Sequence, residues 1–142
     1  MDFSLDYYKT ISKNTVLRFY TYYGYGTEEL PVYKWHYQSD PNSMVSAERD
    51  EFGWYRISLF RADYRKQVNK NLYLSFIYNV APNYNQTFYP IDLKLIQGFG
   101  IGIKYKTPLG PIEFIYGRGD PIKLIHSSSK NDVYYFRMGY NF

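Results

Sequence analysis

The stretch from Leu95 to Lys106 constrains the fold more than any other part of the chain. It reads L-I-Q-G-F-G-I-G-I-K-Y-K, so that apolar side chains alternate with small or charged ones. A period of two is that of a β-strand with two unlike faces. One face carries Phe99, Ile101 and Ile103, and the other carries glycine and lysine. Because the second face offers little to a large core, we expect the apolar face to meet lipid.

The aromatic content supports a membrane environment. The chain has 19 Tyr, 10 Phe and 2 Trp among 142 residues, yet its mean hydropathy is only −0.49. Many rings in a chain of low hydropathy are typical of a membrane β-barrel, where aromatic girdles flank a short apolar band. No run approaches the roughly 18 apolar residues that a membrane helix requires, so helical spanning is excluded.

The same alternation recurs along the chain and predicts an all-β fold. We expect eight strands, within residues 3–10, 15–25, 31–38, 55–65, 72–80, 93–106, 112–117 and 134–142. The segment 31–38 lies between turn-forming residues, and if residues 26–52 are one long outer loop only seven strands remain. A bulge near Phe60 is expected to turn Phe60, Ala62 and Tyr64 outward. The stretch V-N-K-N at residues 68–71 and the Pro-Gly stretch 107–111 predict tight turns.

An even number of strands favours a closed barrel. Bacterial outer-membrane barrels have even strand numbers, short periplasmic turns and long outer loops, and closure removes unpaired edges. We therefore interpret residues 1–142 as a single domain, a transmembrane antiparallel up-and-down β-barrel of eight strands. A soluble lipocalin-like barrel is the rival fold.

Charged residues recur on the parity expected to face the barrel interior. The interior of an eight-stranded barrel is just wide enough for side chains to fill, which predicts a plugged network of ion pairs. A selective pore, or a luminal lock for a loop, is the alternative. The residues of this luminal charge network are Arg18, Arg56, Arg61, Asp63, Arg65, Lys104, Glu113 and Arg137.

The sequence lacks the usual signs of an enzyme or a cofactor site. There is no cysteine, so no disulfide is expected. His36 and His126 lie in unrelated segments, and we expect both side chains to be solvated and not to bind a metal ion. The alternating glycines are not followed by the helix that a phosphate loop requires. They are better explained as residues that leave room inside a narrow barrel. These glycines are Gly98, Gly100 and Gly102. The net charge of +4 is scattered, which argues against nucleic acid and allows contact with anionic lipid.

Two further features concern the cell envelope. Arg118, Gly119 and Asp120 spell a cell-adhesion tripeptide at the expected start of an outer loop, although turn chemistry is the favoured explanation. Met1 is followed by D-F-S-L, without the basic and apolar regions of an export signal. Since the strands indicate an exported protein, we expect that such a signal has been removed.

The end of the chain resembles the C-terminal barrel portion of the BamA-like bacterial surface-antigen superfamily, which also provides the barrels of patatin-type autotransporters. The match lies in G-F-G-I-G-I-K-Y-K-T-P-L-G-P-I-E-F-I-Y-G, residues 98–117: a glycine-alternating strand, a T-P-L-G-P turn and an outward apolar strand. The final alternation resembles the C-terminal signal that the barrel assembly machinery recognises. Its residues are Tyr134, Phe136, Met138, Tyr140 and Phe142.

A weaker likeness covers the family's long sixth outer loop. There the family carries an R-G-F/Y motif that folds back into the lumen, whereas residues 46–52 of this chain read S-A-E-R-D-E-F, without the glycine. Periplasmic repeat domains and the G-x-S-x-G elbow of a lipase are absent from the sequence.

The resemblance implies a non-enzymatic, integral outer-membrane protein related to protein insertion or translocation. Its expected partners are outer-membrane lipid, the barrel assembly machinery and, in an alternative that completes the sheet, a second copy of the chain. Two alternatives to the insertion role remain open. One is a structural or adhesive surface barrel, and the other is the barrel anchor of a larger patatin-type autotransporter, of which this chain would be a fragment.

Overall fold

A computed structural model describes residues 1–26, 31, 34, 36–37, 42–45, 53–54, 56–82, 95–119 and 132–139. These residues form an all-β structure. Its strands are β1 (Asp2–Ser12), β2 (Thr15–Tyr25), β3 (His36–Tyr37), β4 (Gly53–Trp54), β5 (Arg56–Gln67), β6 (Leu72–Pro82), β7 (Leu95–Thr107), β8 (Gly110–Gly119) and β9 (Asp132–Met138). The described part of the chain contains no helix that is long and apolar enough to cross a membrane.

Seven strands form one antiparallel sheet in the order β1-β2-β5-β6-β7-β8-β9. The predicted all-β, up-and-down arrangement is confirmed. The count of eight is not confirmed. Of the residues 31–38 that the structure describes, His36–Tyr37 form a strand, and it pairs with Gly53–Trp54 in a separate two-stranded sheet. Among the described residues β1 pairs only with β2 and β9 only with β8, so these strands do not close into a barrel.

Tight turns join β1 to β2, β5 to β6 and β7 to β8, and all three lie at one end of the sheet, the turn end. In the second turn the Asn69 side-chain oxygen accepts hydrogen bonds from the backbone N–H groups of Asn71 (3.0 Å) and Leu72 (2.8 Å). In the third, Gly110 has a φ of 117°, a backbone conformation that favours glycine. The predicted turns at residues 68–71 and 107–111 are therefore confirmed.

One face of the sheet, the outer face, carries large exposed apolar side chains. Ring pairs link neighbouring strands on this face, such as Tyr64 with Phe76 at 6.3 Å and Phe114 with Tyr134 at 6.2 Å between ring centroids. The exposed residues of the outer face include Phe3, Leu5, Tyr7, Phe19, Tyr23, Phe60, Tyr64, Phe76, Tyr78, Phe99, Ile101, Ile103, Tyr105, Phe114, Tyr134, Phe136 and Met138. The apolar parity predicted for β7 is the exposed one.

The opposite face, the inner face, wraps around residues 42–45, which we call the inserted segment. Its Met44 and Val45 are fully buried. Met44 packs in a cluster with Tyr22, Ile57, Leu59, Ala81 and Ile96. Val45 packs in a second cluster with Ile77 and Ile115, against which Tyr135 lies. Because one short segment meets strands from β2 to β9, the sheet must curve around it.

The expected bulge near Phe60 is wrong. The pairing of β2 with β5 runs without interruption from Tyr25 opposite Arg56 to Thr15 opposite Lys66. Side chains therefore alternate along the whole of β5, with Phe60 outward and Ile57 and Leu59 inward. The apolar residues before Phe60 pack on Met44, so no change of parity is needed to place them.

Candidate functional site

The inner face holds a buried carboxylate surrounded by arginines. Asp63 lies opposite Arg18 in the pairing of β2 with β5, and Arg61 and Arg65 share its face of β5. Its Oδ1 lies 2.6 Å from Arg61 Nε, and its Oδ2 lies 3.3 Å from both Arg18 Nη1 and Arg65 Nη2. On the neighbouring strand, Asp6 accepts a hydrogen bond of 2.6 Å from Arg18 Nε. Three guanidinium groups thus share one fully buried carboxylate.

The remaining donors of this cluster hold the inserted segment. Arg18 Nη1 donates to the backbone oxygen of Asn42 at 3.3 Å, and Arg61 Nη1 donates to that of Ser43 at 3.1 Å. The backbone N–H of Val45 donates to the side-chain oxygen of Asn79 at 3.2 Å. The cluster contains more arginines than carboxylates, so guanidinium N–H groups remain to bind the backbone oxygens of this segment. These hydrogen bonds are strong, because hydrogen bonds from charged donors are stronger than those from neutral donors.

A second ion pair, on the same inner face but toward the β9 edge of the sheet, contacts the inserted segment. Arg137 on β9 lies opposite Glu113 on β8 and forms an ion pair with it. The Nη1 of Arg137 also donates to the side-chain oxygen of Asn42 at 2.9 Å. Asn42 therefore joins Arg18 on β2 to Arg137 on β9, two strands that are far apart in the order of the sheet.

Glycines on the inner face give the inserted segment its space. A Cβ atom at Gly117 would overlap the backbone oxygen of Val45, and one at Gly100 would lie 3.0 Å from Val45 Cγ2. The sequence predicted that glycines leave room on the interior parity. The structure shows that the backbone and side chain of the same protein occupy this room.

His36 lies at the end of the sheet opposite the turns, packed on Gly24. A Cβ at Gly24 would be 2.6 Å from His36 Cγ. The Nδ1 atom of His36 is 2.9 Å from the Tyr22 hydroxyl and 2.9 Å from Asp2 Oδ1, while its buried Nε2 has no hydrogen-bond partner among the described residues. The expectation of a solvated His36 is wrong, because the missing Cβ of Gly24 lets the ring pack against β2. His126 lies outside the described residues.

Most of the predicted luminal charges lie on the inner face, and one does not. The structure places Arg18, Arg61, Asp63, Arg65, Lys104, Glu113 and Arg137 on this face. Arg56 is exposed on the other parity, with its guanidinium 4.8 Å from the centre of the Tyr25 ring. The prediction that Arg56 faces inward depended on the bulge expected near Phe60. Because β5 pairs with β2 without a bulge, Arg56 lies on the opposite face from Arg61 and Asp63.

Several residues of the site carried no local signal. Ser43, Met44 and Val45 follow a Ser-Asp-Pro-Asn stretch that reads as a loop, and the R-G-F/Y position of the resembling family falls on residues 46–52, outside the described residues. Asp6 could have been found from the sequence, because strand alternation and a short turn place it beside Arg18.

The predicted C-terminal signal is partly described. Tyr134, Phe136 and Met138 alternate outward on β9 and are highly exposed, while Tyr140 and Phe142 lie outside the described residues. Recognition of this strand by the assembly machinery stays a prediction.

The Arg-Gly-Asp tripeptide begins inside a strand. Arg118 and Gly119 end β8, and Arg118 Nε lies 3.8 Å from Asp132 Oδ1 on β9. Asp120 lies outside the described residues. The expectation that Arg118 begins an outer loop is therefore corrected: the strand extends through it because it pairs with β7 and β9.

Within the part of the chain that the structure describes, no three His, Cys, Asp or Glu residues lie close enough together to hold a metal ion. Comparison of the chain with protein-family models, curated proteins and solved structures finds no match. The defining feature of the inner face is its geometry: charged side chains bind a segment of backbone within a curved sheet.

Proposed function

We propose that this chain is an integral outer-membrane β-barrel protein whose outer face contacts lipid. The segregation of its two faces carries this proposal. Phe99, Ile101 and Ile103 project from the centre of the outer face and are each about half exposed, at 52%, 46% and 47%. Asp63, Arg18 and Arg61 are buried on the inner face. Soluble monomers seldom expose contiguous apolar patches beyond a few hundred Å².

The position of outer-face tyrosines supports the same environment. Tyr105 lies two residues before the end of β7 at the turn end, and Tyr23 lies two residues before the end of β2 at the opposite end. Both are exposed and flank apolar residues such as Phe19 and Ile103. Amphipathic rings at the two edges of an apolar band are typical of membrane barrels.

The half-paired edges support a role in strand addition. Among the described residues, β1 and β9 each pair with a neighbour on one side only. In lipid an unpaired backbone N–H or C=O costs several kcal/mol, so edges of this kind favour the addition of a further strand. We propose that a second copy of this chain provides these strands. An edge that accepts strands from another chain is also what protein insertion into a membrane requires, and this links the chain to insertion or translocation.

A structural role without transport is the second candidate. The observation that favours it is the occupied interior: Met44 and Val45 are fully buried, and arginines of β2, β5 and β9 bind residues 42–43. A barrel whose interior is filled in this way spans the membrane without forming an open channel.

Incorporation into liposomes tests the lipid-facing assignment. The variant Ile101→Asp places a carboxylate on the outer face. Charged substitutions on the lipid face destabilise membrane barrels, by about 2–4 kcal/mol for Arg or Lys at the midplane and by less for Asp or Glu. Leu109→Asp is the matched control, since Leu109 is 92% exposed in the turn between β7 and β8. We expect Ile101→Asp alone to lose incorporation in a flotation assay. Equal incorporation of both variants, or a wild-type chain soluble without detergent, would contradict the proposal.

Two further measurements separate the candidate roles. The mass of the detergent-solubilised protein should be that of a dimer if a second copy completes the sheet, and a monomeric mass would refute that pairing. Accelerated insertion of a client barrel into liposomes that contain the protein supports the insertion role. A barrel that neither conducts ions nor accelerates insertion fits only the structural one.

A further inference from the structure

A cavity lies on the inner face at the turn end, beyond the arginines that bind the inserted segment. Its volume is about 270 Å³. Its charged lining consists of four cations and one carboxylate: Lys13, Arg65, Lys104, Lys106 and Glu113. Val16 and Tyr73 are among the other residues that line it.

The carboxylates near this cavity are already engaged. Glu113 forms its ion pair with Arg137. Asp63 is shared by three arginines, of which Arg65 is the outermost: its side chain is 43% exposed, against 8% for Arg18 and 2% for Arg61. The cavity therefore keeps an excess of positive charge.

The cations approach the cavity from separate elements. Lys13 belongs to the turn between β1 and β2, Arg65 to β5, and Lys104 and Lys106 to β7. The ammonium of Lys106 lies 4.9 Å from the centre of the Tyr73 ring, a distance at which a cation is attracted to the face of an aromatic ring. Donors that come from several directions suit a tetrahedral anion, whereas one planar carboxylate is satisfied by a single guanidinium.

We propose that this cavity binds a phosphate group, either of a free phosphate compound or of a phospholipid head group. The volume is that of about nine water molecules at roughly 30 Å³ each, which leaves room for a phosphate and a short attached group. It lies just below the range of about 300–1,000 Å³ that drug-sized ligands occupy. This site does not depend on a lipid-facing outer face and goes beyond the proposed function.

Binding of two probes by the whole chain in a nonionic detergent tests the proposal. The probes are inorganic phosphate and dihexanoyl phosphatidylglycerol, followed by ³¹P NMR line width and by calorimetry. We expect saturable binding by the wild-type protein and a loss of about tenfold or more in Lys104→Gln, as for a charged hydrogen bond. Lys70→Gln is the matched control, because Lys70 lies in the turn between β5 and β6 and does not line the cavity.

Saturable binding of inorganic phosphate that Lys104→Gln abolishes and Lys70→Gln keeps supports a site for free phosphate compounds. The same pattern for the lipid alone supports a head-group site. If the wild-type chain with an intact β-sheet spectrum binds neither probe, or if both variants lose binding equally, the proposal is overturned. Lys13→Gln repeats the test in an exposed turn, where a substitution does not disturb a strand.

Discussion

Replacement of Gly117 by alanine tests whether the inserted segment occupies the inner face. A Cβ atom at this position would overlap the backbone oxygen of Val45, and it would lie 3.2 Å from Val45 Cγ2. Backbone cannot rotate away as a side chain can, so either the sheet or the inserted segment must shift. Gly102→Ala is the matched control on the neighbouring strand, because its Cβ would meet the end of the Ser75 side chain, which can change rotamer.

The structure sets the expected magnitude. Burial of Met44 and Val45 contributes about 1.5–3 kcal/mol each, so complete expulsion of the segment costs roughly 3–6 kcal/mol. Local overpacking costs about 1–3 kcal/mol. The smaller cost decides the outcome: Gly117→Ala keeps the segment bound in a shifted position and loses about 1–3 kcal/mol of the free energy of unfolding. Gly102→Ala is neutral or slightly stabilising, because alanine restricts the unfolded chain more than glycine does.

Unfolding in guanidinium, followed by tryptophan fluorescence in detergent, measures both variants. A double-mutant cycle with Val45→Ala separates a shift from an expulsion. With the segment still bound, Val45→Ala costs about 1.5 kcal/mol or more in the Gly117→Ala background, since two buried methyl groups are lost. If Gly117→Ala is as harmless as Gly102→Ala, the inserted segment does not lie against Gly117.

The remaining predictions concern the charges and the accessibility of the site. Asp63→Asn leaves arginines without their buried carboxylate and should lower the free energy of unfolding by about 3–5 kcal/mol, whereas Asp6→Asn, at a partly exposed carboxylate, should cost no more than about 1 kcal/mol in the same denaturation assay. Equal losses would show that Asp63 does not organise the cluster. Because the chain has no cysteine, Met44→Cys introduces a single thiol. It should resist a water-soluble maleimide until the protein unfolds, while Leu109→Cys reacts at once, and rapid labelling of both would place residue 44 at the surface.

The sequence was sufficient to predict the strands with the clearest alternation. In β7 the apolar residues Phe99, Ile101 and Ile103 occupy one parity, and the structure exposes that parity on the outer face. The short turns were also predictable, because Asn69 and Gly110 satisfy local backbone requirements that do not depend on the rest of the fold.

The pattern of apolar residues in β5 did not show which of its two parities faces inward. Apolar residues occur on one parity at Ile57 and Leu59 and on the other at Phe60 and Tyr64. The sequence does not state which of them lie on the outer face and which pack on Met44, because both faces of the strand carry apolar residues. Arg56 was therefore placed on the wrong face together with the bulge.

The inserted segment could not be predicted because its burial depends on distant residues. Val45 fits against the sheet only because residues 100 and 117 lack a Cβ, and Asn42 is held by Arg18 and Arg137, which are separated from it along the chain by 24 and 95 residues. Composition marks this stretch as a loop, and only the assembled sheet shows what the loop binds.

Collisions of a nitroxide spin label with small molecules in liposomes test the lipid-facing outer face most directly. A label on Ile101→Cys should collide with oxygen, which concentrates in lipid, more often than with a water-soluble nickel complex. A label on Leu109→Cys, in the exposed turn at the end of the same strand, should show the reverse. If the nickel complex reaches the label at residue 101 as readily as the label at residue 109, the outer face lies in water and the proposal of a membrane barrel is contradicted.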